Sequence, residues 1–423
     1  MLIEFSVTNY RSFLTTQSLI LTANTATELQ EENSFVSPVS NLPRLLRSSV
    51  VYGPNAAGKS NLIQAIAFMK RFVLSSAKES QEGEKIDAAP FLFNRQSSRK
   101  SSEFEVLFIQ DGIRYQYGFA VNSERVTGEW LFVYPEGRAQ KWVERNFDPD
   151  AQKNIWYFGP KFTGRRKVWQ EATRSNALFL STAIQLNNEQ LKPVFNWFDH
   201  KLHVIDQGEN ISPGFSANEC EEEEKKKKIL KFMNAADLSI TDIFLKKKEF
   251  STKGLPDEMP QNVKEEISKE LDGKKLTSLF FTHPSSDTGE DVVLEFDEES
   301  AGTRKLFVLA GPWLDVLGNG LVLFVDELDA SLHPLLVRFL LNLLHNSETN
   351  RHNAQLVFTT HDTTVLDQTL MRRDQVWFVE KDAENATCLY PLSDYKPRKG
   401  EALQKGYLYG RYGALPFPDK LRF

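Results

Sequence analysis

VYGPNAAGKSNLI, residues 51–63, decides the fold of this chain. Its first two residues end the run Ser48–Tyr52, which is β-branched and apolar, as a buried parallel strand is. Its last residues begin an amphipathic helical pattern that continues through residue 73. Between the strand and the helix the sequence reads G-x-x-x-x-G-K-S. This order predicts a loop that binds the phosphates of a nucleotide, and disfavours a chance glycine-rich turn.

Each residue type in this loop suits phosphate binding. Glycines at both ends let the backbone curl with its N–H groups pointing inward, Lys59 can reach the terminal phosphates, and the Ser60 hydroxyl can ligate Mg²⁺. The predicted ATP-binding residues of the loop are Gly53, Pro54, Asn55, Ala56, Ala57, Gly58, Lys59, Ser60 and Asn61.

A second apolar run, Leu321–Val325, ends in the acidic pair Asp326 and Glu327. Asp326 is placed to hold Mg²⁺ through water. Glu327 is expected on the opposite side of an extended backbone, where its carboxylate can accept a proton from an attacking water. The pair therefore predicts hydrolysis of the nucleotide, with Glu327 as a catalytic residue.

A third run, Gln355–Phe358, delivers Thr359, Thr360 and His361 at its carboxyl end. Open α/β sheets present ligands at this edge. A single histidine after a strand is more often structural, but the order of the motifs favours His361 as a second catalytic residue that senses the γ-phosphate.

Ser300 can cap a helix that begins near Thr303, and Gly302 lets backbone amides come close to an anion. A plain helix cap is the alternative. The position of Ser300 ahead of the acidic strand favours a second phosphate-binding helix terminus.

The order of these motifs resembles that of ATP-binding-cassette (ABC) ATPases of the SMC, Rad50, RecF and OLD type, and the N-terminal stretch FSVTNYRSF, residues 5–13, resembles the opening strands of that group. The resemblance implies an α/β fold, namely an ABC-type P-loop NTPase head with an antiparallel β-subdomain and an inserted helical module. The chain has no sustained heptad repeat, so no long coiled coil is expected.

In these ATPases two protomers enclose two ATP molecules. The resemblance implies that the signature residues Ser300, Ala301 and Gly302 contact ATP held by the other protomer, that Asp329 and Ser331 belong to the loop at the dimer interface (the D-loop), and that Arg11 binds ATP. Residues 299–303, ESAGT, depart from the usual L-S-G-G-Q, which predicts slow turnover. The Q-loop glutamine stays open between Gln110 and Gln116.

Three further stretches, residues 91–119, 173–187 and 406–419, resemble bacterial AAA-type ATPases of abortive-infection and anti-phage systems, represented by RloA and AriA. The last stretch, which is rich in glycine and aromatic residues, is expected either to pack as an irregular tail or to dock on a partner.

Three domains are predicted. Residues 1–177 form the N-terminal lobe with the phosphate loop and a β-subdomain, in which residues 102–110, 113–121 and 128–134 alternate as antiparallel strands do. Residues 178–290 form a mainly helical insertion that includes four predicted Glu–Lys i, i+4 pairs between Glu221 and Lys228. Residues 291–423 form the C-terminal lobe, and too few residues follow His361 for the nuclease domain of OLD proteins.

The composition is that of an ordinary globular protein, with 41% hydrophobic and 26% charged residues. The net charge of −6 gives no global attraction to nucleic acid, so the basic clusters Lys161–Lys167 and Lys246–Lys248 are either solvated loops or a local track for DNA. The absence of a long apolar run or a signal peptide predicts a cytoplasmic protein without a membrane partner.

We therefore expect ATP and Mg²⁺ as cofactors and a homodimeric unit or a higher homo-oligomer. The first hypothesis is a sensor or scaffold in anti-phage defence, which controls a separately encoded toxic effector, a nuclease, and responds to a phage trigger protein. The second is a RecF-like clamp that binds DNA during repair.

Overall fold

The computed structural model describes residues 1–206, 212–249, 275–285 and 290–416, together with residues 261 and 263. The chain divides into two compact units. Unit 1 comprises Met1–Glu209, Val316–Ala330 and Val337–Phe423, and unit 2 comprises Asn210–Asp315 and Ser331–Leu336.

Unit 1 contains an antiparallel seven-stranded sheet, in the order β10-β9-β8-β7-β6-β1-β2. Its strands are β1 Leu2–Thr8, β2 Gln17–Ile20, β6 Ser102–Gln110, β7 Ile113–Val121, β8 Val126–Tyr134, β9 Gln140–Asp148 and β10 Lys153–Phe158. The alternation of apolar and polar residues buries one face of β6, β7 and β8 and confirms the predicted antiparallel β-subdomain.

A six-stranded sheet, in the order β11-β15-β16-β5-β17-β18, carries the motif-bearing strands. Its strands are β5 Ser48–Tyr52, β11 Leu202–Ile205, β15 Val322–Val325, β16 Gln355–Thr359, β17 Val376–Lys381 and β18 Thr387–Pro391. All neighbours pair in parallel except β17 and β18. A small pair, β3 Ser34–Phe35 and β4 Leu45–Leu46, completes the sheets of unit 1 that the structure describes.

Helix α2, Lys59–Ser75, packs in the main core of unit 1, whose side chains come from both large sheets. It buries Leu62, Ile66 and Met69 at helical spacing. The other described α-helices of this unit are α1 Gln30–Asn33, α3 Arg166–Ala172, α4 Phe179–Gln185, α5 Lys192–Asn196, α9 Pro334–His345 and α10 Leu403–Leu408. Helix α9 starts in unit 2. Residues Trp197–Lys201 form a π-helix. The predicted α/β class, with a parallel sheet that carries the phosphate loop and a separate antiparallel sheet, is confirmed.

Unit 2 contains helices α6 Gly214–Glu219 and α7 Glu223–Ala235, a three-stranded antiparallel sheet and the start of helix α8, Ala301–Asn319. The sheet strands, in order, are β12 Asp242–Glu249, β13 Lys275–His283 and β14 Val292–Glu295. Cross-strand stacking of Phe244 on Phe280, with ring centroids 5.4 Å apart, stabilises this sheet.

The stretch 178–290 differs from the mainly helical insertion that the sequence predicts. Residues 178–206 belong to unit 1, where β11 pairs with β15, and the later residues contribute β12 and β13. Short aromatic strands that pair with each other escape a search for helical periodicity. Residues 207–211, 286–289 and most of 250–274 lie outside the described residues, and the predicted domain bounds stay predictions.

The charged run at the start of α7 forms ion pairs that differ from the predicted i, i+4 set. Lys225 pairs with Glu222 at 3.1 Å and Lys227 with Glu224 at 3.0 Å, both at i, i+3, and Glu221 pairs with Lys247 of β12 at 2.6 Å. Because α7 begins only at Glu223, Glu221 precedes the helix and cannot follow its i, i+4 geometry.

The buried His345 gives unit 1 a pH dependence that can be measured. Its Nε2 lies 2.8 Å from Ser48 Oγ, and burial, with a smaller contribution from the charge of Arg47, lowers its pKa from 6.5 to about 3. The folded protein therefore keeps this ring neutral, whereas the unfolded chain binds a proton below pH 6.5. The contribution of the neutral His345 to the free energy of unfolding is therefore fully present above pH 6.5, and it is lost as the pH falls towards 3.

We expect the free energy of unfolding of the wild type to fall more steeply with acidification than that of His345→Gln, by at most about 1.4 kcal/mol per pH unit. Urea unfolding of both proteins between pH 7 and pH 4.5 measures the difference. If the free energies of unfolding of the two proteins changed equally with pH, unfolding would not protonate His345.

Candidate nucleotide-binding site

The six-stranded sheet brings the three sequence motifs to one edge. Strands β15, β16 and β5 are parallel neighbours, so their carboxyl ends lie side by side. Gly53 follows β5, Asp326 follows β15 and Thr360 follows β16. This is the edge where open α/β sheets bind ligands.

A cavity of about 340 Å³ opens at this edge. Its walls are formed by Asn55, Ala56, Gly58, Lys59, Ser60, Asn61, Glu327 and His361. The structure thus brings most of the predicted loop residues together with both predicted catalytic residues, although the two groups are far apart in sequence.

The loop positions α2 so that its first turn begins at the cavity, where unpaired helical N–H groups attract anions. Gly58 has φ +115°, and a Cβ at this position would lie 2.3 Å from Thr387 Oγ1. Glycine is therefore required by both the backbone conformation and the available space.

Lys59 Nζ donates hydrogen bonds to the carbonyl oxygens of Gly53 at 2.8 Å and Pro54 at 3.2 Å. Burial lowers the pKa of Lys59, while the carboxylates of Glu327, Asp326 and, more weakly, Asp329 act in the opposite direction. A buried cation beside a glycine-rich loop can exchange these carbonyl partners for phosphate oxygens.

Thr359 joins the two acidic residues, and sequence reasoning identifies it only as a polar residue at a strand end. Its hydroxyl donates to Asp326 Oδ1 at 2.6 Å and accepts from the backbone N–H of Glu327 at 2.8 Å. The Thr359 side chain therefore holds both the carboxylate of Asp326 and the backbone of Glu327, the two residues that directly follow β15. The available signal was its position at the end of a third parallel strand.

The sequence predicts an extended backbone at Glu327. In the structure the backbone there is left-handed instead, with φ +46°. This conformation is uncommon for glutamate and is found where the surrounding structure enforces it, often at functional sites. The turn separates the buried Asp326 from Glu327, whose side chain lines the cavity.

The residues predicted to bind Mg²⁺ fit such an ion. Asp326 is only 2% exposed, and its Oδ2 has no hydrogen-bond partner among the described residues. A buried carboxylate oxygen without a partner is costly unless a cation or water satisfies it. Ser60 supplies a hydroxyl on the wall of the cavity that Glu327, the neighbour of Asp326, also lines, and oxygen ligands of this kind are the ones that Mg²⁺ prefers.

His361 is exposed at the cavity, and its backbone N–H donates to Asp329 Oδ2 at 3.2 Å. The other carboxylate oxygen of Asp329 is buried without a hydrogen-bond partner in the part of the chain that the structure describes. The loop after β15 and the loop after β16 are thereby connected at the rim of the site.

Within unit 2, Ser300 caps α8: its hydroxyl accepts from the N–H of Thr303 at 3.1 Å. The helix begins at Ala301, two residues earlier than predicted. Gly302 lies close to Ser331, the predicted D-loop residue: a Cβ on Gly302 would be 3.3 Å from the Ser331 carbonyl oxygen. The cap agrees with the sequence, and the contact of these residues with ATP stays a prediction.

Three predicted candidates have other partners in the structure. Arg11 lies against Tyr10, with its Nε 3.2 Å from the Tyr10 hydroxyl. Gln116 donates to Glu105 at 2.9 Å, and Gln110 donates to Asp111 at 3.0 Å. Neither glutamine is among the residues that line the cavity. Gln116 contacts a neighbouring strand of the seven-stranded sheet, and Gln110 contacts the turn between β6 and β7.

Three residues of the basic clusters have local partners. Lys247 pairs with Glu221 at 2.6 Å, Lys246 Nζ lies 4.6 Å from the centroid of the Phe280 ring, and Lys167 lies 3.8 Å from Glu171. These contacts are those of ordinary solvated surfaces.

The described part of the C-terminal stretch, residues 406–416, packs on unit 1. Tyr407 and Tyr412 are buried, and the Tyr407 ring lies 5.6 Å from that of Tyr52 at the end of β5. A second cavity, of about 610 Å³, separates this stretch from the phosphate loop, and it is lined by Gly53, Pro54, Asn55, His361, Thr363, Tyr407, Leu408, Leu415 and Pro416. Part of this stretch is therefore packed, docking on a partner stays a prediction, and residues 417–419 lie outside the described chain.

Replacement of Lys59 tests the phosphate loop directly. We expect Lys59→Ala to weaken ATP binding at least about 10-fold, because a charge-assisted hydrogen bond to phosphate is lost. Titration calorimetry measures the dissociation constant. The exposed Lys78→Ala, just beyond the end of α2, serves as the control and should bind ATP as the wild type does; equal affinities for both variants would remove Lys59 from the site.

In the described part of the chain, no helix has the length and apolar character needed to cross a bilayer. No curated protein sequence matches this chain significantly.

Three solved structures are among those to which this chain is similar. An SMC head bound to the C-terminal winged-helix domain of ScpA is 12% identical, with a TM-score of 0.43, and covers 92% of this chain and 96% of its own. The SMC head domain from Thermotoga maritima is 14% identical, with a TM-score of 0.40 and coverages of 92% and 98%. The recombination mediator RecF with ATP is 14% identical, with a TM-score of 0.33 and coverages of 92% and 99%.

A family model described as "AAA domain, putative AbiEii toxin, Type IV TA system" matches residues 48–367, which are most of the chain. The match begins with the strand of the phosphate loop and ends just beyond His361. The chain therefore belongs to this family of AAA-domain ATPases.

Proposed function

We propose that this protein is a Mg²⁺-dependent ATPase that acts as a sensor or scaffold in anti-phage defence. The observation that carries the ATPase activity is the single cavity shared by Lys59, Ser60, Glu327 and His361. The family description, with its reference to a putative toxin and a type IV toxin–antitoxin system, supports the defence role.

The chemistry assigned to each residue follows from its place. Lys59 and the N–H groups of the first turn of α2 bind the phosphates, and Ser60 and Asp326 would hold Mg²⁺. When bound, the ion would neutralise charge on the phosphate oxygens. Glu327 accepts the proton of the attacking water, and Thr359 keeps its backbone in place.

The assembly proposed for turnover is a homodimeric unit, alone or within a higher homo-oligomer. In it, Ser300, Ala301 and Gly302 of one copy contact the ATP bound by the other copy. The exposure of Ser300 and Ala301 at the start of α8 is compatible with such a contact. ATP binding then favours the associated state, and hydrolysis releases it.

The proposed output is control of a separately encoded effector, a nuclease, through this change of assembly. To test it, the protein is expressed together with the products of neighbouring genes, and complexes are isolated with and without ATP. We expect one neighbour to copurify and a phage protein to release it.

Cells that carry the wild type and its neighbours should resist phage, whereas cells that carry Lys59→Ala should not. Unchanged phage sensitivity without any copurifying neighbour would overturn the defence role. ATP-dependent binding to duplex DNA with a steep salt dependence would instead support the RecF-like clamp.

A further inference from the structure

A buried pair of hydroxyl groups lies behind the phosphate loop, in contact with Gly58. It consists of Ser12, from the loop between β1 and β2, and Thr387, the first residue of β18. Ser12 is 7% exposed and Thr387 only 1%. Thr387 belongs to no sequence motif, Ser12 lies in the N-terminal stretch 5–13 without an assigned role, and neither is among the residues that line the cavity.

The contacts of the two hydroxyls form a continuous path. Asn61 Nδ2 donates to Ser12 Oγ at 2.7 Å, the hydroxyls of Ser12 and Thr387 lie 2.8 Å apart, and Thr387 Oγ1 donates to the Ala57 carbonyl oxygen at 2.7 Å. The backbone N–H of Thr387 also donates to the Ser12 carbonyl at 2.7 Å.

A hydroxyl has one hydrogen, and a carbonyl oxygen can only accept. The Thr387 hydroxyl is within donating distance of both Ser12 Oγ and the Ala57 carbonyl oxygen, and the Ala57 carbonyl, at 2.7 Å, is the nearer acceptor. Thr387 Oγ1 also accepts from Lys381 Nζ at 3.3 Å, and Ser12 Oγ accepts from Asn61.

The path ends on a peptide group that matters for phosphate binding. Because the peptide between Ala57 and Gly58 is planar and trans, its carbonyl oxygen and its N–H point in opposite directions. When Thr387 holds the carbonyl of Ala57 on the rear side, the N–H of Gly58 is turned towards the cavity that Gly58 lines. Backbone N–H groups of such loops bind the phosphates that ADP and ATP share.

The packing behind Gly58 reinforces this orientation. A Cβ on Gly58 would lie 2.3 Å from Thr387 Oγ1 and 2.9 Å from Ser12 Oγ, so the two hydroxyls are in close contact with the rear of the loop. The loop cannot rotate its Ala57–Gly58 peptide without breaking a buried hydrogen bond.

We propose that Thr387 and Ser12 are positioning residues that preorganise the phosphate loop for nucleotide binding. The inference rests on the proposed ATPase function, and it adds that a strand at the far end of the chain determines nucleotide affinity. Removal of the path should weaken binding of ADP and ATP alike, with little effect on kcat at saturating ATP.

The test compares Thr387→Val, which keeps the shape and removes the hydroxyl, with Thr387→Ser, which keeps the hydroxyl. We expect Thr387→Val to raise the dissociation constants of both nucleotides about 10-fold, as expected for a buried carbonyl left without its donor. Thr387→Ser should stay within about 3-fold of the wild type. Ser12→Ala removes the central link and should raise both constants in the same direction; it carries the test should Thr387→Val fail to fold.

Thr182→Val is the matched control. The Thr182 hydroxyl is also buried and donates to a carbonyl, that of Leu178 at 2.9 Å, but it lies in α4. A thermal melt should show that Thr182→Val loses stability as Thr387→Val does, while its nucleotide affinity is unchanged.

Two failures can be told apart. A wild-type protein that binds neither nucleotide would overturn the proposed function. A wild type that binds both, with Thr387→Val or Ser12→Ala folded and equal to it in affinity, would overturn the positioning role alone.

Discussion

Glu327→Gln is expected to lower ATP hydrolysis at least about 100-fold, while the affinity for ATP stays within about 3-fold of the wild type. General-base catalysis contributes factors of this size, and glutamine cannot accept the proton of the attacking water. Because Glu327 holds its place through its backbone N–H and Thr359, the substitution leaves the cavity wall in position. Phosphate release under saturating ATP and calorimetric titration measure the two quantities.

The same variant tests the proposed dimer. With hydrolysis blocked, ATP should keep two copies associated, and size-exclusion chromatography with ATP should show a dimer that the wild type forms only transiently. The exposed Glu348→Gln is the matched control and should hydrolyse ATP normally. A Glu327→Gln protein with normal turnover would exclude Glu327 as the base, and a variant that no longer binds ATP would assign it to binding instead.

Much of the site can be predicted from the sequence because its main residues occupy short local patterns. Strand, loop and helix around Lys59 are adjacent in the chain, and the acidic pair directly follows an apolar strand. Parallel pairing of β15, β16 and β5 then brings these ends together, which is a general property of such sheets.

The supporting residues are harder to predict because their contacts cross the chain. Thr387 and Ala57 are 330 residues apart, and Thr359 reaches Asp326 across 33 residues. A single threonine at a strand end has no sequence pattern that distinguishes it from other threonines. Arg11 is a case that the fold does not decide: its side chain lies against Tyr10, and its binding of ATP stays a prediction.

The seven-stranded sheet contains a buried polar cluster centred on Glu129. Glu129, on β8, is 2% exposed and accepts hydrogen bonds from the backbone N–H groups of Phe179 at 2.6 Å and Leu180 at 2.9 Å. These are the first two N–H groups of α4, which have no partner within the helix. The Tyr117 hydroxyl donates to the same carboxylate at 3.0 Å, so Glu129 joins α4 to two strands.

We expect Glu129→Ala to lower the free energy of unfolding by about 3–5 kcal/mol. The substitution leaves two buried N–H groups without acceptors, creates a cavity, and removes the negative charge that compensates the fully buried Arg145. Urea unfolding followed by tryptophan fluorescence measures the effect. Glu129→Gln, which keeps an acceptor oxygen, should lose less than Glu129→Ala.

Glu144→Ala on the neighbouring strand β9 is the control for loss of a carboxylate as such. Glu144 pairs with Lys141 at 3.0 Å, and both side chains are about one-third exposed, so its removal should change stability by less than about 1 kcal/mol. If Glu129→Ala were no more destabilising than Glu144→Ala, the carboxylate of Glu129 would not be what holds the start of α4. A large difference would show that the fold of this unit depends on one acidic side chain that no nucleotide motif contains.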